Sequence, residues 1–234
     1  MTEVLLALDN VVAGYGETHI IRDVSLHVSR GERIAIVGRN GVGKTTLFST
    51  IMGQTRQHSG TIRHRGSSVD GLQPHERARL GIGIVPQTRD IFTSLNVEEN
   101  LLAGLRNGAS LQDAYDLFPR LKERRLNGGR QLSGGEQQML SIARALAARP
   151  EIILLDEPLE GLAPVICEML MDVFGKLSAR GHTIVLVEQH IKLALEFAER
   201  VVVLDQGRIV LEDKAVNLRS DRTELDRFVG ITAR

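Results

Sequence analysis

The segment GRNGVGKTT, residues 38 to 46, interrupts the apolar run RIAIV with glycines, a lysine and two hydroxyls. Gly38, Gly43, Lys44 and Thr45 satisfy G-x-x-x-x-G-K-[ST], a loop that cradles phosphates between a strand and a helix. Its glycines let the backbone through Arg39, Asn40, Gly41 and Val42 curl its N–H groups around phosphate oxygens, and the helix beginning by Thr46 adds positive potential. Lys44 would reach the β- and γ-phosphates, and the Thr45 hydroxyl would ligate Mg²⁺.

A phosphate site that does chemistry needs carboxylates at the end of a neighbouring strand, and IILLDE at 152 to 157 supplies two. Asp156 would hold Mg²⁺ through water, and Glu157 would polarise the attacking water. The third segment is LSGGEQQ, Leu132 to Gln138. Ser133 and Glu136 can form a capping box that needs no ligand. Gly134 and Gly135, however, each cost a helix up to about 1 kcal/mol relative to alanine. Bare backbone at a helix N-terminus is what an anion would need.

The elements that must position these groups are legible in outline. The N-terminal part, through VLLALDNVVAGYG and IIRDVSLHVSRGERIAIVG, alternates apolar and polar residues and reads as antiparallel strands of a small β subdomain. SGTIRHRGSSVDGL reads as polar loop with a short strand, followed by a short helix from Pro74 and a buried strand, GIGIV, ended by Pro86. Apolar spacing near 3.6 predicts helix over about 96–127, broken at NGG, and another from Ser133 toward Pro150. Beyond it, IILLDEP, HTIVLVEQ and RVVVLDQGRIVLE alternate with helices over about 164–180 and 190–199, the signature of a parallel sheet buried on both faces.

Composition narrows the function classes. Lys plus Arg equals Asp plus Glu at 29 each, and aromatics are 3% with no Trp, so neither a basic field nor stacking surfaces favour nucleic acid. Cys167 is the single cysteine, which rules out an internal disulfide and fits a reduced compartment. Glu3 stands where a signal peptide wants positive charge, and no apolar run approaches the roughly 20 residues of a membrane span, so membranes are expected to matter through a partner.

Taken in order, the phosphate loop, LSGGE and LLDE make the chain resemble the nucleotide-binding subunit of an ABC transporter over nearly its whole length. The resemblance implies an α/β, P-loop NTPase (RecA-like) core with an N-terminal antiparallel β subdomain, together about 1–87 and 150–234, and an inserted α-helical subdomain at about 88–149. It implies a head-to-tail dimer binding two ATP and Mg²⁺, in which Ser133, Gly134 and Gly135 of one subunit close over the γ-phosphate held by the other. It also places Tyr15 against adenine, and Gln87 at a glutamine that touches Mg²⁺ and senses the membrane partner.

Two positions depart from that pattern. The loop after Glu157, usually serine-containing, reads PLEGLAP with Leu159 and Glu160 at its start. The switch histidine expected one residue beyond TIVLVE aligns with Gln189, with His190 next, so either Gln189 takes the γ-phosphate contact or a local shift brings in His190. Gln189 could donate a hydrogen bond but could not become a cation.

LFPRLKERR, LSGGEQQMLSIARAL and DEPLEGLAPVI followed by LVEQH are similar to the smaller ATPase subunit of importers for branched-chain amino acids, urea and related amides. The partners this implies are integral-membrane permease subunits, a second ATP-binding subunit (the same chain or a sister) and, indirectly, a solute-binding protein, with the chain on the cytoplasmic face of the cell membrane. An exporter's ATPase subunit and a soluble ATPase of the same superfamily are the alternatives. A P-loop kinase or GTPase would leave LSGGEQQ unexplained.

Overall fold

The computed structural model describes residues 3–106 and 108–229. The chain runs β1 (Val4–Tyr15), β2 (Thr18–Ser29), β3 (Arg33–Val37), α1 (Lys44–Ile51), β4 (Arg56–His64), β5 (Ser67–Ser68), α2 (Pro74–Arg79), β6 (Ile82–Val85), α3 (Val97–Gly104), α4 (Leu111–Leu117) and α5 (Pro119–Glu123). It continues through α6 (Gly134–Leu146), β7 (Ile152–Asp156), α7 (Pro164–Ala179), β8 (Thr183–Glu188), α8 (Ile191–Phe197), β9 (Arg200–Asp205), β10 (Arg208–Lys214), α9 (Ala215–Ser220) and α10 (Thr223–Val229).

Two sheets result. One is antiparallel in the order β2-β1-β4-β5; the other runs β10-β9-β3-β8-β7-β6, parallel except for β10 at its edge. The parallel strands lack polar alternation because each is buried on both faces. In β7, Ile153 and Leu155 enter the core shared with the helices, while Ile152 and Leu154 enter the core facing the antiparallel sheet. β3 divides in the same way, with Ala35 and Val37 on one side and Ile34 and Ile36 on the other. Helix α1 fills the space between the sheets with Leu47, Phe48 and Ile51, all fully buried. Each such side chain contributes about 1.5–3 kcal/mol of transfer free energy.

The expected α/β fold is present, with three local differences. RIAIV, read with the antiparallel strands, belongs to the parallel sheet, where it pairs with β8 and β9. Its four consecutive buried apolar residues need cover on both sides, which a half-solvated antiparallel strand would not provide. The segment SGTIRHRG, read mostly as loop, extends β4 to nine residues, because β1 offers it an antiparallel edge. The helix-like stretch 96–127 is three short helices, not a continuous one, with α4 and α5 meeting at Phe118 just before Pro119.

The helices between β6 and β7 pack on one another, α3 and α4 against α6 and α5 against both α4 and α6, while α6 also rests on β6. The fully buried Asn100 ties this group to the loop after β6, since its side chain accepts from the Phe92 N–H at 2.8 Å and donates to the Phe92 carbonyl at 2.9 Å. Parallel strands deliver their C-terminal ends to one edge of a sheet, where open α/β folds gather their sites. Here β3 delivers residues 38–43, β6 delivers Gln87, β7 delivers Asp156 and Glu157, and β8 delivers Gln189.

Candidate nucleotide site

At that edge lies a cleft of about 290 Å³ whose walls include Asn40, Gly41, Gly43, Lys44, Thr45, Thr46, Gln87, Glu157 and Gln189. Gly43, the N-cap of α1, has φ 111°, a conformation that turns the loop onto the helix and that a side chain would strain. Gly38 is demanded by proximity, because a Cβ there would sit 2.3 Å from the Leu204 carbonyl oxygen of β9. Arg39 lies on the adjoining face with Asn40 and Gln189, and Val42 is buried in the core beneath.

Lys44 is 4% exposed, and its Nζ donates to the Gly38 and Arg39 carbonyls at 2.9 and 3.1 Å while standing 3.3 Å from Glu157 Oε1. The loop thus curls around its own lysine. The Glu157 Oε2 accepts from the Gln189 side-chain amide and, at 3.4 Å, from Gln87 Nε2. Glu157 has φ 47°, an uncommon value for a residue with a side chain, and its N–H is held by the Val187 carbonyl at 3.0 Å. Strain of this kind persists where the surroundings over-determine the backbone.

Asp156, 1% exposed, accepts from the Thr45 hydroxyl at 3.3 Å. Burial, reinforced by the neighbouring Glu157 charge, pushes its carboxyl up to about 6 despite the Thr45 bond and Lys44. The Glu157 carboxylate, the Lys44 ammonium and the glycine-rich loop therefore line one cleft, with the Asp156 carboxyl buried behind Thr45. That arrangement can grip a polyphosphate and hold a water against it.

Gln189 reaches the cleft and His190 does not. His190 is exposed at the start of α8, beyond the cleft walls, and its backbone N–H is used by Glu188 at 3.2 Å. Glu188 Oε2 also accepts the Gln189 N–H at 3.0 Å, so this carboxyl, buried and raised above its ordinary range by that burial, sets the backbone from which Gln189 projects. Tyr15 ends β1 and is 51% exposed, outside the cleft lining. Ile20 of β2 does line it, as does Glu160. Ile20, one residue of an alternating strand, does not stand out in sequence, whereas Glu160 does so only as a departure from the serine-containing loop, with no role attached.

Ser133, Gly134 and Gly135 form the N-terminus of α6, away from the cleft walls. Their surroundings are close: a Cβ on Gly134 would lie 3.2 Å from the Arg89 guanidinium, and one on Gly135 would lie 3.3 Å from Ile166 of α7. The predicted capping box is present, Ser133 Oγ accepting from Glu136 N–H at 3.3 Å and Glu136 Oε2 from Ser133 N–H at 2.9 Å.

Burial works against the Glu136 charge, but the Ser133 N–H together with Arg124 and Arg120, which donate to Oε1 at 3.2 and 3.0 Å, holds its pKa down at about 2. Its contribution to stability is complete above its ordinary value of 4.5 and fades as pH falls toward 2. Glu136→Ala is accordingly expected to lower stability at pH 7 by about 2 kcal/mol. In urea unfolding the midpoint should move at constant slope, and the difference from the parent should shrink near pH 3.

With this geometry in view, the family is clear: a model of the ABC transporter family matches residues 21–160, and the chain belongs to that family as an ATP-binding subunit. It is 40% identical over 232 residues to the high-affinity branched-chain amino acid transport ATP-binding protein BraG of Pseudomonas aeruginosa, spanning 97% of this chain and 100% of that one. The lipopolysaccharide export system ATP-binding protein LptB of Haemophilus influenzae is 36% identical, with 97% of each chain covered. Among solved structures, a dimeric ATP-binding cassette in a post-hydrolysis state with ADP and phosphate superposes with a TM-score of 0.80 at 29% identity, covering 90% of this chain and 99% of that one. The chain is an ATPase of the cassette type, and ATP is its nucleotide.

Proposed function

We propose that this chain is one of the ATPase subunits of an importer for branched-chain amino acids or related amides, working on the cytoplasmic face of the cell membrane beneath permease subunits. The observation that carries this reading is the 40% identity to BraG along the full length of both chains. Among the described residues no helix is long and apolar enough to cross a membrane, so attachment would come through the permease. A groove of about 460 Å³ between β6 and the inserted helices, bordered by His75, Arg79, Phe92, Arg106 and Arg144, is where the permease would sit. Its wall is tied to the Gln87 loop, since Ser141 Oγ donates to the Arg89 carbonyl at 2.5 Å and the Arg144 guanidinium lies 4.5 Å from the Phe92 ring centre. A solute-binding protein would act only through that permease.

The residues present fit Mg²⁺: a hydroxyl, a carboxylate and a side-chain amide, from Thr45, Asp156 and Gln87, are hard oxygen donors of the kind that share this cation with phosphates and water. The ion would neutralise charge on the transferring phosphoryl group. In our reading, the loop 38–46 and Lys44 bind the phosphates, Glu157 takes up the proton of the attacking water, and Gln189 meets the γ-phosphate as a neutral donor. His190 is left with no part, so hydrolysis would have no step that depends on histidine protonation. Ser133, Gly134 and Gly135 lie outside their own chain's cleft, which supports a head-to-tail pairing in which they close on the nucleotide of a second subunit, identical or sister. Tyr15, exposed at the C-terminal end of β1, remains available to adenine.

Lys44→Ala is expected to weaken ATP binding by about 100-fold, the loss of a charge-assisted contact with phosphate. Equilibrium binding of a fluorescent ATP analogue reads this directly, and unchanged affinity would contradict the assignment.

The reading as a whole is tested by tagging the chain in its source cell, carrying Glu157→Gln, and identifying what co-purifies from gently solubilised membranes in ATP. A polytopic permease with a second ATPase supports the importer. The similarity to LptB favours an exporter as the second reading, and a permease of lipid-export type would select it. Soluble partners alone, with the chain absent from membranes, would refute both.

A further inference from the structure

The loop PLEGLAP departs from the serine-containing segment usual at this position, and the structure gives each departing residue a place. Leu159 is 2% exposed and packed in the helix-side core, with its carbonyl 3.7 Å from Cys167 Sγ of α7. Glu160 is exposed above this anchor, its N–H bonded to the Glu157 carbonyl at 3.2 Å. From there its Oε2 accepts from Gln87 Nε2 at 2.5 Å, while the same nitrogen lies 3.4 Å from Glu157 Oε2.

We propose that Glu160 is a positioning residue for Gln87: it fixes which end of the side-chain amide is offered to the magnesium site. A glutamine amide has one end that donates and one that accepts. The atom between Glu157 and Glu160 must be the nitrogen, because an amide oxygen there would face two carboxylate oxygens with no proton between them. Its two N–H groups match the two carboxylates. Oε1, the only side-chain atom of Gln87 able to ligate a hard cation, is thereby left to face the magnesium site. A serine at 160 has a shorter side chain and no negative charge, so it could not grip the amide in this way. The unusual loop thus compensates its lost hydroxyl with a different task, orienting the glutamine that joins the cleft to the permease-facing loop.

This inference rests on the reading of Gln87 as a magnesium ligand, and the experiment separates the two. Mn²⁺ replaces Mg²⁺, and its free concentration is followed by electron paramagnetic resonance during titration of the full chain loaded with a non-hydrolysable ATP analogue. Parent, Gln87→Ala, Glu160→Ala, Glu160→Gln and the double alanine variant are compared, with analogue affinity in EDTA as the control for intact folding and nucleotide binding. Gln87→Ala is expected to weaken Mn²⁺ binding about fivefold, as for one lost ligand contact. Glu160→Ala should weaken it comparably, the double variant no further, and Glu160→Gln, which keeps an acceptor without the charge, should stay near the parent.

If Gln87→Ala weakens Mn²⁺ and Glu160→Ala does not, the positioning role fails while the ligand reading stands. If neither does, the ligand reading fails and takes the proposal with it. Additive effects in the double variant, or Glu160→Gln as weak as Glu160→Ala, would mean that Glu160 acts by its charge alone, which also overturns the proposal.

Discussion

Glu157→Gln is expected to lower ATP turnover by about three orders of magnitude while leaving ATP binding intact. The Glu157 carboxylate has Lys44 at 3.3 Å from one oxygen and the Gln189 and Gln87 amides on the other. On the proposed function, phosphate would compete for Lys44 when ATP binds, which would free one carboxylate oxygen to accept a proton from water. Glutamine has nearly the same shape, but its nitrogen cannot accept that proton. In the proposed function the nucleotide grip would come from Lys44, held within the loop by the Gly38 and Arg39 carbonyls, and from the loop backbone, all of which the substitution leaves alone. With binding preserved and hydrolysis slowed, the ATP-loaded pair should persist. Steady-state phosphate release and size-exclusion chromatography in ATP test the two halves; turnover within tenfold of the parent would remove Glu157 from the role of base.

Asp156→Asn should have two effects of opposite sense: loss of magnesium-dependent turnover by a factor of about a thousand or more, and a more stable nucleotide-free protein. The second effect follows from linkage. Burial and the Glu157 charge raise the Asp156 carboxyl from 3.8 to about 6, so between those values the folded chain binds more protons than the unfolded one. Stability contributed by this group therefore falls as pH rises through that window and stays low above it. That rise from 3.8 to about 6 corresponds to about 2–3 kcal/mol. Asparagine keeps an oxygen for the Thr45 hydroxyl and carries no charge to desolvate.

Thermal unfolding in EDTA at pH 7 should therefore give a higher midpoint for Asp156→Asn, with the gap closing as pH is lowered toward 4. Glu188, raised by burial in the same sense, is untouched by the substitution and so cancels from the comparison. A lower midpoint at pH 7 would show that the carboxylate's partners outweigh its desolvation.

Both expectations come from a site whose parts were visible in sequence but whose arrangement was not. Gly43, Lys44 and Thr45 announced themselves because a turn onto a helix with open backbone donors demands glycine, ammonium and hydroxyl at fixed offsets. Asp156 and Glu157 were legible for a related reason, being the first charges after a strand too apolar to lie anywhere but the core. Glu136 was legible from its spacing to Ser133, though the two arginines that hold it were not, since they come from α5 and the residue that ends it. The strand RIAIV was visible as a strand and misassigned as to sheet, because apolar character reports burial and says nothing about which neighbour supplies it.

What the sequence alone determined about this protein is therefore the local chemistry: the phosphate loop, the carboxylate pair, the helix caps and the alternation of buried strands with helices. These depend on residues a few positions apart, where backbone geometry ties spacing to direction. Whether Gln189 or His190 faces the cleft and whether Glu160 meets Gln87 were decided only in three dimensions. Those contacts join residues from separate elements, 32 positions apart for Gln189 and Glu157 and 73 for Gln87 and Glu160. The parallel sheet brings such residues together by ending its strands at one edge, and only the register of those strands, Asp156 opposite Val187 and Val37 opposite Glu188, decides which side chain turns inward.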